Sequence, residues 1–426
     1  MRRPTSRHQA PRRGHDARDP SRQAPSKGRP SRGEPRAAHA ARHPDPRHAT
    51  KSGARAHDAR PSRNDGPSPA KVVPTTKPNV PLVHGEPRVG DWLFTTREGA
   101  ERDLADEFRL LKEPEAPRLV VPALLVAKKC PRKDGRIPLT FCRQAFPIVA
   151  LAEGETTELA GTLANAAASK LGGAERYALQ VWVPDSTEAN PLAAEARDVE
   201  GALEAALSAS LPGATRIPNR ALTNESVPLV QVCLWSSRRA AIGVTASTDA
   251  PSLAPGGRAR SHVGGDRPSR AARKIAEALA WLGMAPEPGE VCVDLGAAPG
   301  GWTWFLLERR AKVIAVDPAR LRPDLLARRG LTYVSRSAFD FEPDEPVDWV
   351  FCDMAWRPLE VAEMLGRWAR RRSATLLVAN FKLPMKQKAD MVARVHAVLE
   401  KSGWRAVRSR QLYHDRDEIT VTARLG

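Results

Sequence analysis

The chain is 426 residues long, with room for two or three domains, and carries a formal net charge of +18. Its five cysteines are odd in number, widely spaced and without a CxxC pair, which argues for a reducing compartment and against a disulfide framework or a structural zinc site. No apolar run approaches the length of a membrane span and the first residues lack the apolar core of a secretory signal, so a cytoplasmic protein is expected, with no membrane and no metal.

Residues 1–80 contain no Phe, Trp or Tyr and hold +13 of the +18. Such a segment cannot bury enough apolar surface to offset its chain entropy, and a disordered basic tail is expected. It would attract phosphate backbones without reading their sequence, or serve solubility alone. From residue 81 to 250 the patterns are mixed. "RLVVPALLVAKK", "YALQVWV" and "PLVQVCLW" read as strands, whereas "AERDLADEFRLL", "LAGTLANAAASKL" and "DVEGALEAALSASL" have helical spacing. This alternation predicts one or two small α+β or α/β modules. The run from Thr245 to Ser269, rich in Gly, Pro, Ser and Arg, reads as a linker or mobile loop.

Residues 251–426 carry a clearer pattern. "VCVDLG", "KVIAVD", "VDWVFCDM" and "TLLVANF" are continuous apolar runs, and helical "GWTWFLLERR" and "PLEVAEMLGRWARRR" lie among them. In the second helix Val361, Leu365 and Trp368 share one face. Apolar strands alternating with helices predict a parallel sheet covered on both sides, a doubly wound Rossmann-like α/β domain.

In such sheets ligands bind outside the carboxyl ends of the strands. "DLGAAPGGW" puts Asp294 and Gly296 at the end of the first strand, and Gly296, Gly300 and Gly301 let the backbone pass close to a bound molecule. Asp317 ends the second strand about twenty residues on, where a carboxylate accepts from ribose hydroxyls. The spacing is not GxGxxG, so an adenosine-containing cofactor without a pyrophosphate fits better, and S-adenosylmethionine (SAM) suits it. A purely structural strand-turn-helix with an aspartate cap is the plain alternative. Lys382 poses a different question, because it follows the buried strand "TLLVANF" directly. An ammonium there costs free energy unless paired, and Lys382 is expected to be buried against carboxylates.

Together with "PSRAARKIAEAL", "CDM" and "NFKLPM", these motifs resemble the FtsJ/RrmJ class of ribose 2′-O-methyltransferases. The ending "RQLYHDRDEITV" is similar to the branch that methylates the 2′-O of a cytidine in 23S rRNA. The specific match runs from Pro268 to Val421. Weaker echoes ("TTREGAERDLADEF", "FCRQAFPIV", "YALQVWVPD") reach back to about Val89, where that branch has a ferredoxin-like module and a THUMP RNA-binding domain. The resemblance implies a catalytic set of Lys382, Asp353, Lys274 and Glu418. In it Lys382 is the general base, Asp353 orients its amine, and Lys274 and Glu418 position the ribose. Cofactor contacts are implied at Ser269, Asp294, Gly296, Ala298, Pro299, Gly300, Gly301, Trp302, Asp317, Ser337 and Asp353. At Ser337 the family has an acid for the adenine amino group, and Asp340 lies three residues too far on, so adenine is expected to be held more weakly or differently.

Large-subunit rRNA is the implied partner, and a monomer is expected. An RNA-binding protein with an inactive methyltransferase domain, or the same catalysis on another RNA, are the alternatives. Trp302 and Trp304 follow a glycine turn, where aromatic residues more often pack a helix than stack on a base. His414, Asp415 and Arg416 belong to the family's "YHDR" signature or to a solvated loop, and Arg367 to Arg372 form a basic helix end that the dipole favours.

Overall fold

The computed structural model describes residues 82–222, 225–259 and 270–426, so the basic tail and Ser269 lie outside the described residues. The apolar run at 118–127 does not form one strand. Pro122 has no N–H to donate, and Ala123 takes a φ of 68°, so the chain folds back into the hairpin β2 (Arg118–Val121) and β3 (Leu124–Ala127). With β1 (Trp92–Thr95) and β4 (Gln144–Pro147) they form an antiparallel sheet in the order β2-β3-β1-β4. Helix α1 (Glu101–Leu110) covers it through Leu104 and Phe108. Buried Glu107 ties α1 to the approach to β4, accepting from Thr140 N–H (2.7 Å) and Phe141 N–H (3.0 Å).

A second module follows at once: β5 (Ala150–Glu153), α2 (Thr156–Leu171), β6 (Arg176–Trp182), α3 (Ala193–Ser210), β7 (Thr215–Ile217), β8 (Pro228–Ser236) and β9 (Arg239–Ala246). Its mixed sheet has the order β5-β9-β8-β6-β7, and Leu159, Leu163, Val199 and Leu203 of the two helices share a core with Leu179 and Val230 of the strands. Beyond β9 the described part of the expected linker, up to residue 259, is pinned. The Gln144 amide donates to Ser252 O and the Gln180 amide to Leu253 O, both at 2.8 Å, and a Cβ on Gly257 would collide with the Arg143 carbonyl. Its composition hid this, because the groups that hold it are backbone carbonyls, which every residue has.

The third part comprises α4 (Arg270–Leu282), β10 (Val291–Leu295), α5 (Gly301–Glu308), β11 (Lys312–Val316), α6 (Pro323–Leu326), β12 (Leu331–Val334), β13 (Val347–Cys352), α7 (Pro358–Arg370), β14 (Ala374–Lys382), α8 (Lys388–Lys401), β15 (Trp404–Arg410) and β16 (Glu418–Leu425). The seven-stranded sheet has the order β12-β11-β10-β13-β14-β16-β15. Strands β10 to β14 run parallel, β16 is antiparallel to β14, and β15 is antiparallel to β16. From β10 the chain goes outward to β11 and β12, then returns to β13 on the other side. The connections therefore part between β10 and β13, leaving a crevice at their carboxyl ends. One core runs from Leu104, Phe108 and Phe141 of the first module to Val392, Val395 and Leu399 of α8.

Candidate active site

The crevice is built from backbone geometry first. At the end of β10, Gly296 takes a φ of 77°, and a Cβ there would come within 2.6 Å of Met354 Cγ. Gly300 takes a φ of 113° and caps α5, where a Cβ would strike Leu325. Both positions therefore demand glycine for the fold of the turn itself. Asp317 at the end of β11 clasps this turn: its carboxylate accepts from Ala298 N–H at 3.0 Å and Ala319 N–H at 2.7 Å. Asp317 thus holds the turn rather than capping α5, whose N-cap Gly300 receives no side-chain bond, while Pro299 at the tip of the turn is exposed and Ala298 half-buried.

Asp294 is buried, and one of its oxygens accepts the Thr303 hydroxyl at 2.6 Å. Its other oxygen has no hydrogen-bond partner. Burial, with the Asp353 and Asp317 carboxylates adding to it, pushes the acid up to about 7. An orphaned buried acceptor beside a glycine turn fits a ligand that brings a cationic or N–H group, and SAM carries an ammonium. Trp302, by contrast, is only 2% exposed and packs edge-on to Phe351 with ring centroids 6.1 Å apart, so it supports α5 rather than offering a free face. The half-buried Ser337 spends its hydroxyl locally, accepting from Phe339 N–H at 3.2 Å. Asp340 lies with Arg367, Trp368 and Arg371 around a cavity of about 310 Å³, lined from the C-terminal end of α7.

Three of the four expected charges meet at the crevice. The Lys274 ammonium on α4 pairs with Glu418 at the head of β16 and lies 4.0 Å from Asp353, which follows β13. Burial pulls that ammonium down, yet the Asp353 and Glu418 carboxylates together outweigh it and hold its pKa above the ordinary lysine value. Lys274 is therefore a fixed cation. Lys382 stands in register with Glu418 across the β14–β16 pair. Contrary to expectation it is exposed, and among the described residues it forms no ion pair. The reason lies in the pleat, since Asn380 and Lys382 share one face of β14. Asn380 is covered and donates to Asp353 Oδ1 at 3.1 Å, whereas Lys382 lies one pleat further, at the strand's end.

Sequence reading passed over Asn380, and over Thr420, whose hydroxyl donates to Asn380 Oδ1 at 2.8 Å. Asn380 interrupts the apolar stretch from Leu376 to Phe381, whereas Thr420 is one of several polar residues that alternate along β16, so the pairing of the two was not legible. The "YHDR" acid Asp415 is buried and accepts from Leu412 N–H at 3.0 Å, and burial holds its carboxyl well above the usual carboxylate range. Among the described residues no cluster of three or more His, Cys, Asp or Glu could hold a metal ion. No described helix is long and apolar enough to cross a membrane.

A seven-stranded sheet with a glycine turn at its switch point and a Lys–Glu–Asp cluster beside it is the architecture of a methyltransferase, and residues 267–390 match the FtsJ-like methyltransferase family. Curated relatives extend the match over most of the chain. Ribosomal RNA large subunit methyltransferase M from Halorhodospira halophila is 34% identical over 345 residues, covering 78% of this chain and 96% of that one. Its counterpart from Xanthomonas oryzae pv. oryzae is 35% identical over 300 residues, covering 68% and 83%. The chain belongs to this family of FtsJ-like methyltransferases, the ribosomal RNA large subunit methyltransferase M group.

Proposed function

We propose that this methyltransferase uses SAM to methylate a ribose 2′-hydroxyl of large-subunit 23S rRNA, at a cytidine, with Lys382 as the general base. The observation that carries this reading is the meeting of Lys274, Glu418 and Asp353 beside the glycine turn, with Lys382 in register opposite Glu418. SAM supplies a methyl group on a sulfonium that needs no further activation, so the protein's task is to prepare the alcohol. Gly296, Ala298, Pro299, Gly300 and Asp317 would hold the cofactor, and the free oxygen of Asp294 would take its ammonium.

A ribose hydroxyl becomes nucleophilic only when its proton is removed. Lys274 cannot take it, because Glu418 and Asp353 keep it charged. Lys382 is the amine that stands opposite Glu418 on β14. A free lysine has a pKa of about 10.4 and is mostly protonated near neutrality. Lys382 is exposed and forms no ion pair among the described residues, so its amine is free to reach a docked ribose hydroxyl and take its proton. Asp353, which accepts from Asn380, would orient that amine, Lys274 and Glu418 would position the ribose, and alignment would supply much of the remaining rate.

Residues 81–250 are read as the ferredoxin-like and THUMP-like RNA-binding region. The all-antiparallel order β2-β3-β1-β4 with α1 supports the first half of that reading, although no second helix occurs between β3 and β4. The test is Lys382→Ala with labelled SAM and a 23S rRNA transcript. Methyl transfer should fall at least about 100-fold while donor affinity stays within about threefold. Near-normal turnover would remove Lys382 from the role of base.

A further inference from the structure

The transfer just described leaves a buried polar network unused. Glu277 lies on α4 one turn beyond Lys274, so the two residues share a helix face. It is buried, and its oxygens accept three hydrogen bonds from a single loop: Tyr413 N–H at 2.7 Å, His414 N–H at 3.1 Å and the His414 ring Nδ1 at 2.7 Å. Residues 411–417 form that loop, and Glu418 follows it directly. Within the loop Asp415 accepts from Leu412 N–H and lies 3.2 Å from the Thr420 hydroxyl, which donates to Asn380 and through it links to Asp353.

The far side of the loop belongs to the N-terminal modules. Arg143 of the first module is 1% exposed; its guanidinium lies 5.4 Å from the Tyr413 ring centroid and donates to Leu412 O at 3.4 Å. Its other nitrogen pairs with Asp185, which follows β6 of the second module. A buried carboxylate and a buried guanidinium each cost several kcal/mol to desolvate, and apolar packing would hold a loop as firmly. What polar anchors add is a fixed position. Here that position is the head of β16, and with it the Lys274–Glu418 pair.

We propose that the 411–417 loop is a clamp in which Glu277 is a positioning residue, setting Lys274 against Glu418, and Arg143 makes that setting depend on the seating of both N-terminal modules. The inference rests on the functional reading above, and its test separates the two. In the full chain, Glu277→Gln keeps one acceptor and loses the other. Single-turnover methyl transfer at saturating donor and RNA should fall about 100-fold, the effect of a small misplacement, with both dissociation constants within about threefold. Arg143→Lys keeps the charge toward Asp185 but loses the fork and the ring contact, and should cost about tenfold in the same rate constant. Wild-type rates in both variants overturn the clamp, as does a loss confined to RNA affinity.

Hydrogen exchange gives a readout that needs no activity. Glu277→Gln should expose the amides of residues 412–420 while residues 91–147 keep their protection; unchanged protection at 412–420 overturns the proposal. If the wild-type protein puts no methyl on ribose, the functional reading fails, and exchange alone decides the clamp.

Discussion

Asp294 ties residue chemistry to ligand binding most directly. Its carboxyl titrates near pH 7 because it is buried and because Asp353 and Asp317 lie close by. A ligand ammonium that reaches the free oxygen favours the ionised form, so below pH 7 it must compete with a proton. Affinity for S-adenosylhomocysteine, measured calorimetrically, should therefore be about tenfold tighter at pH 8 than at pH 6. Asp294→Asn should flatten that dependence; equal wild-type affinity at both pH values would show that the orphaned oxygen does not face the ligand. Asp294 was legible in the sequence because an acid ends an apolar run. Lys382 was legible as an oddity but misjudged in burial, because a period-two pattern assigns a face and says nothing about where cover stops. Asn380 escaped notice because its partners, Asp353 and Thr420, are distant in sequence.

At the scale of elements, α8, β15 and the 138–143 segment form one joint. His396 on α8 bonds Ser409 Oγ on β15 at 2.8 Å, and that hydroxyl bonds Thr140 Oγ1 at 2.8 Å. Burial lowers the His396 imidazole to about 4, with the Lys133 charge pushing the same way. A histidine depressed in the folded state contributes stability that is complete above its unfolded pKa of about 6.5 and is lost as pH falls toward 4. Raised carboxyls elsewhere, such as Glu107 at about 7, work in the opposite sense, so the comparison must be a difference. The stability of the wild type relative to His396→Gln should fall by about 2 kcal/mol between pH 7.5 and pH 5 in urea titrations. Parallel pH profiles would place His396 outside the joint. Strand β15 itself reads poorly from sequence: "WRAVRSR" has three arginines in seven residues, one buried and one laid over Trp281 at 4.8 Å. An edge strand whose arginines lie on aromatic or carbonyl partners carries little apolar signal.

Across the whole molecule, the parallel sheet was the readable part, because strands covered on both faces show as continuous apolar runs. Strands of four residues, such as β1, β4 and β5, are too short to display a period, and the packing of α1 against α8 joins segments far apart in sequence. Charge is distributed just as unevenly. Residues 1–80 carry +13 and residues 81–426 only +5, so most long-range attraction for a polyanion resides in the tail. Binding through such charges releases counterions and weakens with salt at about 0.7 log units per log unit for each phosphate neutralised on a single strand. Sequence-independent contacts of this kind add affinity at every nucleotide and leave the crevice chemistry untouched. Deleting residues 1–80 should therefore weaken rRNA binding strongly at 50 mM salt and little at 300 mM, and lower the log–log slope by about 3 or more. The transfer rate at saturating RNA should stay within about twofold of the full chain. Filter binding across a salt series decides the matter, and an unchanged slope would mean that the tail's thirteen net charges meet no phosphate.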